Sequence, residues 1–236
     1  MNESLHALRL RSALPACLMV CSALLVTGCG SDAGTKGPAA VATPAAPTGV
    51  GPTGSPDPTD TGARLTDDQV ARMSLVQAAK VPWDGAADTA VGTVAGSKLV
   101  GIELRRYKGG ATASPVPSPG SPEWTAEVAG QNGMVHRVLV DGVSGTVLRS
   151  RPETDQDADD MRELTDRLTR AQVSPEQAVK TATERKQGTV TEVHLGDEDH
   201  TLVWSVDVVK RQDWSKTAFD IDAATGEVLR EQVYKG

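Results

Sequence analysis

Few side chains in this chain could carry chemistry, and their spacing decides whether they do. Its 236 residues contain three cysteines and four histidines. H-E-x-x-H, G-x-S-x-G and the P-loop pattern are missing, so the common hydrolase and nucleotide-binding signatures are not there. His194 and His200 flank the acidic segment Gly196-Asp197-Glu198-Asp199. Across a hairpin they could approach each other and, with Asp197 or Asp199, offer the nitrogen and oxygen donors that a metal takes. A solvated turn is the preferred reading, because the corresponding stretch Gly101-Ile102-Glu103-Leu104 sets Glu103 where His194 stands. The acidic run Asp155, Asp157, Asp159 and Asp160 is similar to a calcium loop. However, Asp160 and Asp166 occupy the positions where an EF-hand needs Gly and Glu. A helix N-terminus attracts carboxylates in any case. Asp141 and Asp222 are each followed by a turn glycine and are read as turn caps rather than acid/base groups. Trp124 and Trp204 alternate with small and β-branched apolar residues, so they are expected in the core and not on a ligand platform. His136 begins a strand and is read as a rim residue. No nucleophile, base and orienting group can be assembled from these residues. The chain is therefore expected not to be an enzyme, with no catalytic residue, no metal and no cofactor.

The segment before Cys29 accounts for the cysteines. Arg9 and Arg11 precede a short apolar stretch from Ser12 to Val26, and small residues follow. This is the layout of a signal peptide. The apolar stretch is shorter than the roughly 20 residues that a permanent span needs. Val26-Thr27-Gly28-Cys29 resembles the bacterial lipobox, whose cysteine receives a diacylglyceryl group and becomes the new N-terminus. Residues 1–28 are thus expected to be a lipoprotein signal peptide and Cys29 the lipidation site. Cys17 and Cys21 would leave with the signal, so the mature chain would hold no free thiol, disulfide or thiolate metal site. Two acyl chains give lasting attachment where one gives only marginal binding. The expected location is extracytoplasmic, with the membrane as a partner through the lipid on Cys29.

Charge limits the other partners. Losing Arg9, Arg11 and Glu3 takes Lys+Arg from 24 to 22 and Asp+Glu from 31 to 30, so the charge moves from −7 to −8. Nucleic acid rewards basic patches and is excluded as a partner class. Anionic lipid would likewise repel the folded part. Residues 29–63 are Gly, Pro, Ala, Thr and Ser with almost no large apolar side chain. They cannot offset the entropy of ordering and are expected to form a disordered linker. A flexible chain of that length spans about 30 Å.

The remaining roughly 170 residues leave room for two small cores rather than one large one. With one Phe, two Tyr and four Trp, those cores must be mostly aliphatic. An internal repeat supports two units. Trp124-Thr125-Ala126-Glu127-Val128 matches Trp204-Ser205-Val206-Asp207-Val208. Asp141-Gly142-Val143-Ser144-Gly145-Thr146-Val147-Leu148-Arg149 matches Asp222-Ala223-Ala224-Thr225-Gly226-Glu227-Val228-Leu229-Arg230. Upstream, Ala90-Val91 is paired with Ala178-Val179, and Ile102-Glu103-Leu104 with Val193-His194-Leu195. In the second copy, Ser174-Pro175-Glu176-Gln177 is a helix start. Strands are expected over 189–195, around Trp204, around Phe219 and over 227–233, with a turn at 196–199. In strand two Leu202, Trp204, Val206 and Val208 alternate to give one buried face. Met161, Leu164, Leu168 and Ala171 are spaced as on a connecting helix over 155–172. Asp67 to Lys80 is expected to be an earlier helix of the same kind. Residues 109–122 are expected to be an exposed flexible loop.

A helix, then strands, then an apolar-polar alternation ending in D-x-x-[ST]-G-x-V-L resembles the PepSY domain. The second copy matches it better than the first. The resemblance implies an α+β fold of two tandem units, each a helix on a small antiparallel sheet: residues 64–152 and 153–236. It also implies a non-catalytic module that binds or inhibits peptidases, or regulates events at the cell surface. An envelope protein, a peptidase first among them, is thus the expected protein partner. The alternative is an accessory subunit that senses a ligand or metal for an envelope signalling or transport system. Residue types alone point to no binding residue; a sheet edge or the 109–122 loop is the more plausible surface.

Overall fold

The computed structural model describes residues 64–112 and 116–236. The expected signal peptide, Cys29 and the 29–63 linker lie outside them. Four helices pack on an antiparallel sheet of eight strands. The order along the chain is α1 (Asp67–Ala78), α2 (Trp83–Thr93), β1 (Lys98–Arg106), β2 (Pro122–Ala129), β3 (Val135–Asp141) and β4 (Val147–Pro152). The same order then recurs as α3 (Ala158–Arg170), α4 (Pro175–Arg185), β5 (Thr189–Glu198), β6 (Thr201–Val209), β7 (Lys216–Asp222) and β8 (Val228–Tyr234). Among the described residues no helix is long and apolar enough to cross a membrane.

Local chemistry sets the helix starts. Thr66 with Gln69, Asp157 with Asp160, and Ser174 with Gln177 each form a reciprocal capping box at α1, α3 and α4. Such caps are each worth about 1 kcal/mol. α2 starts at Pro82, which supplies no side-chain cap. Instead the backbone amides of Lys80 and Val81 bond to the Gly142 carbonyl. Gln172 and Val173 bond to the Ala223 carbonyl in the same way before α4.

Sheet order is β4-β3-β2-β1-β5-β6-β7-β8, so the two halves meet edge to edge at β1 and β5. The seam is short: Gly101 faces His194, Ile102 faces Val193 and Glu103 faces Glu192. A local two-fold axis passes between Ile102 and Val193. One hydrophobic cluster runs through both halves, from Val76 and Trp124 to Trp204 and Phe219. The expectation of two small cores is corrected here. The β1–β5 pairing makes one sheet, and the helices of both halves cover the same face of it.

The leading helices cross over and bind the halves together. Arg72 Nε of α1 donates to the Trp214 carbonyl at 2.8 Å, and Gln69 Nε2 to the Asp213 carbonyl at 2.8 Å, both in the β6–β7 turn. In the other direction, Gln156, just before α3, accepts from the Val135 amide at 2.6 Å. α3 itself lies against Gly133 in the β2–β3 turn, so closely that a Cβ there would stand 2.0 Å from the Met161 carbonyl oxygen. Gly133 and Trp214 hold equivalent left-handed positions, with φ of 79° and 56°. For a tryptophan that backbone costs roughly 1–3 kcal/mol. The half-buried ring and the Arg72 bond offset the cost.

Other expectations are adjusted by geometry. Strand β5 runs on through Gly196 and Asp197, and the turn is the two-residue Asp199-His200, with φ of 49° and 65°. Two positive φ values are what a tight hairpin turn with the strand twist requires. The opposite face of β6 is not open either, because Val203, Asp207 and Val209 are buried as well. Val81 and Val173 play the same part before α2 and α4, so Ala86-Ala87 corresponds to Ala178-Val179. The sequence pairing with Ala90-Val91 was one helical turn out of step.

Candidate functional site

Each residue singled out for chemistry has a defined place. Trp124 and Trp204 are 1% and 2% exposed, which puts both in the core. Their indole N–H groups donate to the carbonyls of Val81 at 3.0 Å and Val173 at 2.9 Å. Asp141 Oδ1 accepts from the amides of Val143 and Ser144, and Asp222 Oδ1 from those of Ala224 and Thr225. The Thr225 amide leads in holding the Asp222 carboxyl below its ordinary range. Gly145 and Gly226 take the left-handed conformation that closes these turns. Both carboxylates are therefore engaged by their own backbone.

Three of the four residues of the acidic run serve α3, and Asp155 accepts from the Thr154 hydroxyl at 3.3 Å. Asp157 caps the helix, Asp160 completes the box, and Asp159 pairs with Arg162 at 2.8 Å. The histidines of the second copy do not meet. His200 is at the hairpin tip, whereas His194 faces Ser205 on β6. Asp197 is bound by Arg167 of α3 at 2.7 Å. Among the described residues no three His, Cys, Asp or Glu side chains come together as metal ligands. His136 is half-buried opposite Val128 and Pro152, at the rim.

What sequence reasoning missed is the face of the sheet away from the helices. Strand alternation sets one row of polar residues right across it. The row reads Arg151, Arg137, Glu127, Gly101, His194, Ser205, Asp220, Arg230, from β4 to β8. Arg137 binds Glu127 at 3.0 Å and Glu153 at 3.1 Å. Ser205 donates to Asp220 at 2.9 Å, and Arg230 also pairs with Asp220. The His194 ring lies over Gly101, where a Cβ would stand 2.6 Å from Nδ1. Burial, opposed chiefly by Glu127, holds this imidazole below its ordinary pKa.

The adjacent row places Glu103, Glu192 and Asp207 side by side on β1, β5 and β6. Like charges directly opposite each other destabilise a sheet. Arg105 binds Glu103, and Lys216 binds Asp207 at 2.6 Å. The Glu192 carboxyl, between them, has no hydrogen bond or ion pair among the described residues. Burial first, then Asp207 and Glu103, push its carboxyl up to about 7. Glu123 on β2 is another buried carboxyl, 7% exposed with Oε2 unbonded, and burial raises its pKa. The signal for this cluster was in the sequence as acidic residues within strands, but only the β1–β5 pairing brings Glu103 and Glu192 together.

The 109–122 loop is less free than its composition suggests. The Tyr107 hydroxyl accepts from the Ala111 amide at 2.9 Å, and the Thr112 amide donates to the Leu148 carbonyl on edge strand β4 at 2.8 Å. Residues 113–115 lie outside the described residues. Two surface hollows lie among the described residues. One of about 390 Å³ lies between the α1–α2 connection and α4, and includes Trp83, Asp84, Thr183 and Arg211. The other, about 530 Å³, includes Arg170, His200 and Asp222.

Comparison with known proteins gives one family. Residues 172–232, from the start of α4 to β8, match PepSY, described as the peptidase propeptide and YPEB domain. No curated protein matches the chain. Among solved structures, a candidate lipoprotein from Clostridium difficile is 19% identical, covering 66% of this chain and 95% of its own at a TM-score of 0.39. The YpmB protein from Bacillus subtilis is 15% identical, covering 64% of this chain and 97% of its own at a TM-score of 0.27. Overlays this loose carry no argument about function.

Proposed function

We propose that this chain is an extracytoplasmic, non-catalytic binding module, anchored by lipid on Cys29, that restrains a peptidase at the cell surface. The observation that carries the reading is the PepSY match over 172–232. PepSY is linked to peptidase propeptides and to inhibitor-like modules outside the cytoplasm. Residues 64–152 act as a second unit of the same kind. In support, the two halves share an element order, the indole-to-carbonyl bond and the aspartate turn. A non-catalytic role is supported by where the candidate side chains go: the turn aspartates serve backbone amides and the tryptophans fill the core.

The test is a titration. The purified chain is added to the peptidase activity shed by, or bound to, the cells that make it. A saturable fall in peptide hydrolysis is expected. Unchanged hydrolysis, or hydrolysis by the chain alone, would overturn the proposal. Labelling with a radioactive fatty acid tests the anchor: the label should enter the natural chain and be absent from Cys29→Ser.

A further inference from the structure

The two edges of the sheet are not equivalent. At β4 the Leu148 carbonyl is occupied by the Thr112 amide and hydroxyl, at 2.8 and 3.2 Å, and Leu148 is 2% exposed. The second half has a two-residue hairpin in place of that loop. Leu229, which corresponds to Leu148, is therefore 50% exposed. Val233 and Tyr234 on the same strand are 44% and 40% exposed. An edge strand offers a row of unpaired main-chain groups to any extended partner. Exposed apolar side chains on it add burial to those hydrogen bonds.

We infer that β8 pairs antiparallel with β8 of a second copy of this chain, about a two-fold axis through Gln232. Self-pairing of one edge is an isologous contact and closes at two subunits. Charge and the length of strand paired select the register together. Residues facing each other must lie on the same side of the sheet, so the axis passes through a residue. An axis at Glu231 would set two carboxylates directly opposite, and one at Arg230 two guanidinium groups; both are unfavourable. An axis at Val233 opposes no like charges either, but it would pair only Gln232 to Tyr234 of the strand; an axis at Gln232 opposes no like charges and pairs Arg230 to Tyr234. It puts two amides face to face, each able to donate and accept. Glu231 then faces Val233. Arg230 faces the Tyr234 ring, which already receives the Lys216 ammonium at 5.0 Å from its centroid, and a guanidinium stacks well on such a ring. Leu229 lies along the aliphatic stem of Lys235. Two copies held on one membrane would meet at this edge more often than copies free in solution.

Cysteine scanning across the edge tests the pairing. Single replacements Arg230→Cys, Glu231→Cys, Gln232→Cys and Val233→Cys are made in the full chain, in the membrane of its own cells, with the natural chain as background. After mild oxidation, disulfide dimers are read on a non-reducing gel. Facing Cα atoms in an antiparallel pair are about 4.5–5.5 Å apart, within disulfide reach. Only the residue on the axis faces its own copy. Gln232→Cys should therefore cross-link several-fold more than either neighbour. Glu231, Gln232 and Val233 are exposed and their side chains make no hydrogen bond or ion pair among the described residues, so these variants keep the fold; Arg230→Cys, which gives up the Asp220 pair, is only the outer point of the scan. No dimer above background, an even yield along the strand, or a maximum at another position would overturn the proposal.

Discussion

Replacing Glu192 by glutamine should make the folded unit more stable at alkaline pH and leave it nearly unchanged in acid. The carboxyl has an ordinary value of 4.5 and is pushed up to about 7 in the fold, by burial first and then by Asp207 and Glu103. The sign follows from which state holds the proton. Below the ordinary value Glu192 is protonated folded or unfolded, and nothing is lost. As pH rises through the folded value, the folded state must ionise a shielded carboxyl between two others, whereas the unfolded chain has ionised already. At 1.36 kcal/mol per unit, the stability lost on going alkaline is about 3 kcal/mol, an upper figure because water screens a carboxyl that is not fully buried. For a folded unit of this size that is a shift of about 6–12 °C in Tm. Thermal unfolding of the natural chain and of Glu192→Gln is compared at about pH 5 and about pH 9, and the difference between the two proteins is read. The His194 contribution has the opposite sign, since its lowered pKa is lost as stability on the acid side, and it largely cancels in that difference. A difference that stays constant with pH would refute the reasoning, because the Glu103–Glu192–Asp207 row would then not be a charged cluster in the fold.

Three further substitutions probe the framework. Gly133→Ala should cost on the order of 3 kcal/mol or more in urea unfolding, because a Cβ there meets the Met161 carbonyl and the backbone is left-handed. Gly101→Ala should cost about 1–3 kcal/mol by displacing the His194 ring, and adding His194→Ala should recover most of it in a double-mutant cycle. Trp124→Phe and Trp204→Phe should each lose about 1–3 kcal/mol, the indole bond plus an orphaned carbonyl, and by similar amounts. Strongly unequal losses would argue that the two halves do not use the same construction.

Much of this fold was legible wherever the signal was local. Ser174-Pro175-Glu176-Gln177 predicts a capped helix start, and the box is there. Asp222 and Gly226 predict the turn that forms, because an aspartate carboxylate and a left-handed residue are what such a turn uses. Period-two alternation around Trp204 and Phe219 predicts the helix-facing side of β6 and β7. Failures came where one residue type served two purposes. Gly196 reads as punctuation, yet it is a strand residue beside His194, and the true turn, Asp199-His200, contains no glycine. The alanine-rich face of α2 fits the repeat equally well one turn away, so the sequence pairing slipped. The seam was out of reach altogether. Nothing near Glu103 announces that Glu192 will face it, since the pairing joins strands separated by a whole repeat. The polar row across the face away from the helices is invisible for the same reason.

The central claim is that this chain restrains a peptidase at the cell surface without doing chemistry of its own. It is tested most directly by cross-linking the natural chain in its own cells, extracting it in detergent and identifying its neighbours by mass spectrometry. Enrichment of a secreted or membrane peptidase, lost when the folded unit is removed and the lipid anchor kept, is the expected result. Recovery of a sensor kinase or transporter in its place, or of no specific neighbour, would contradict the account.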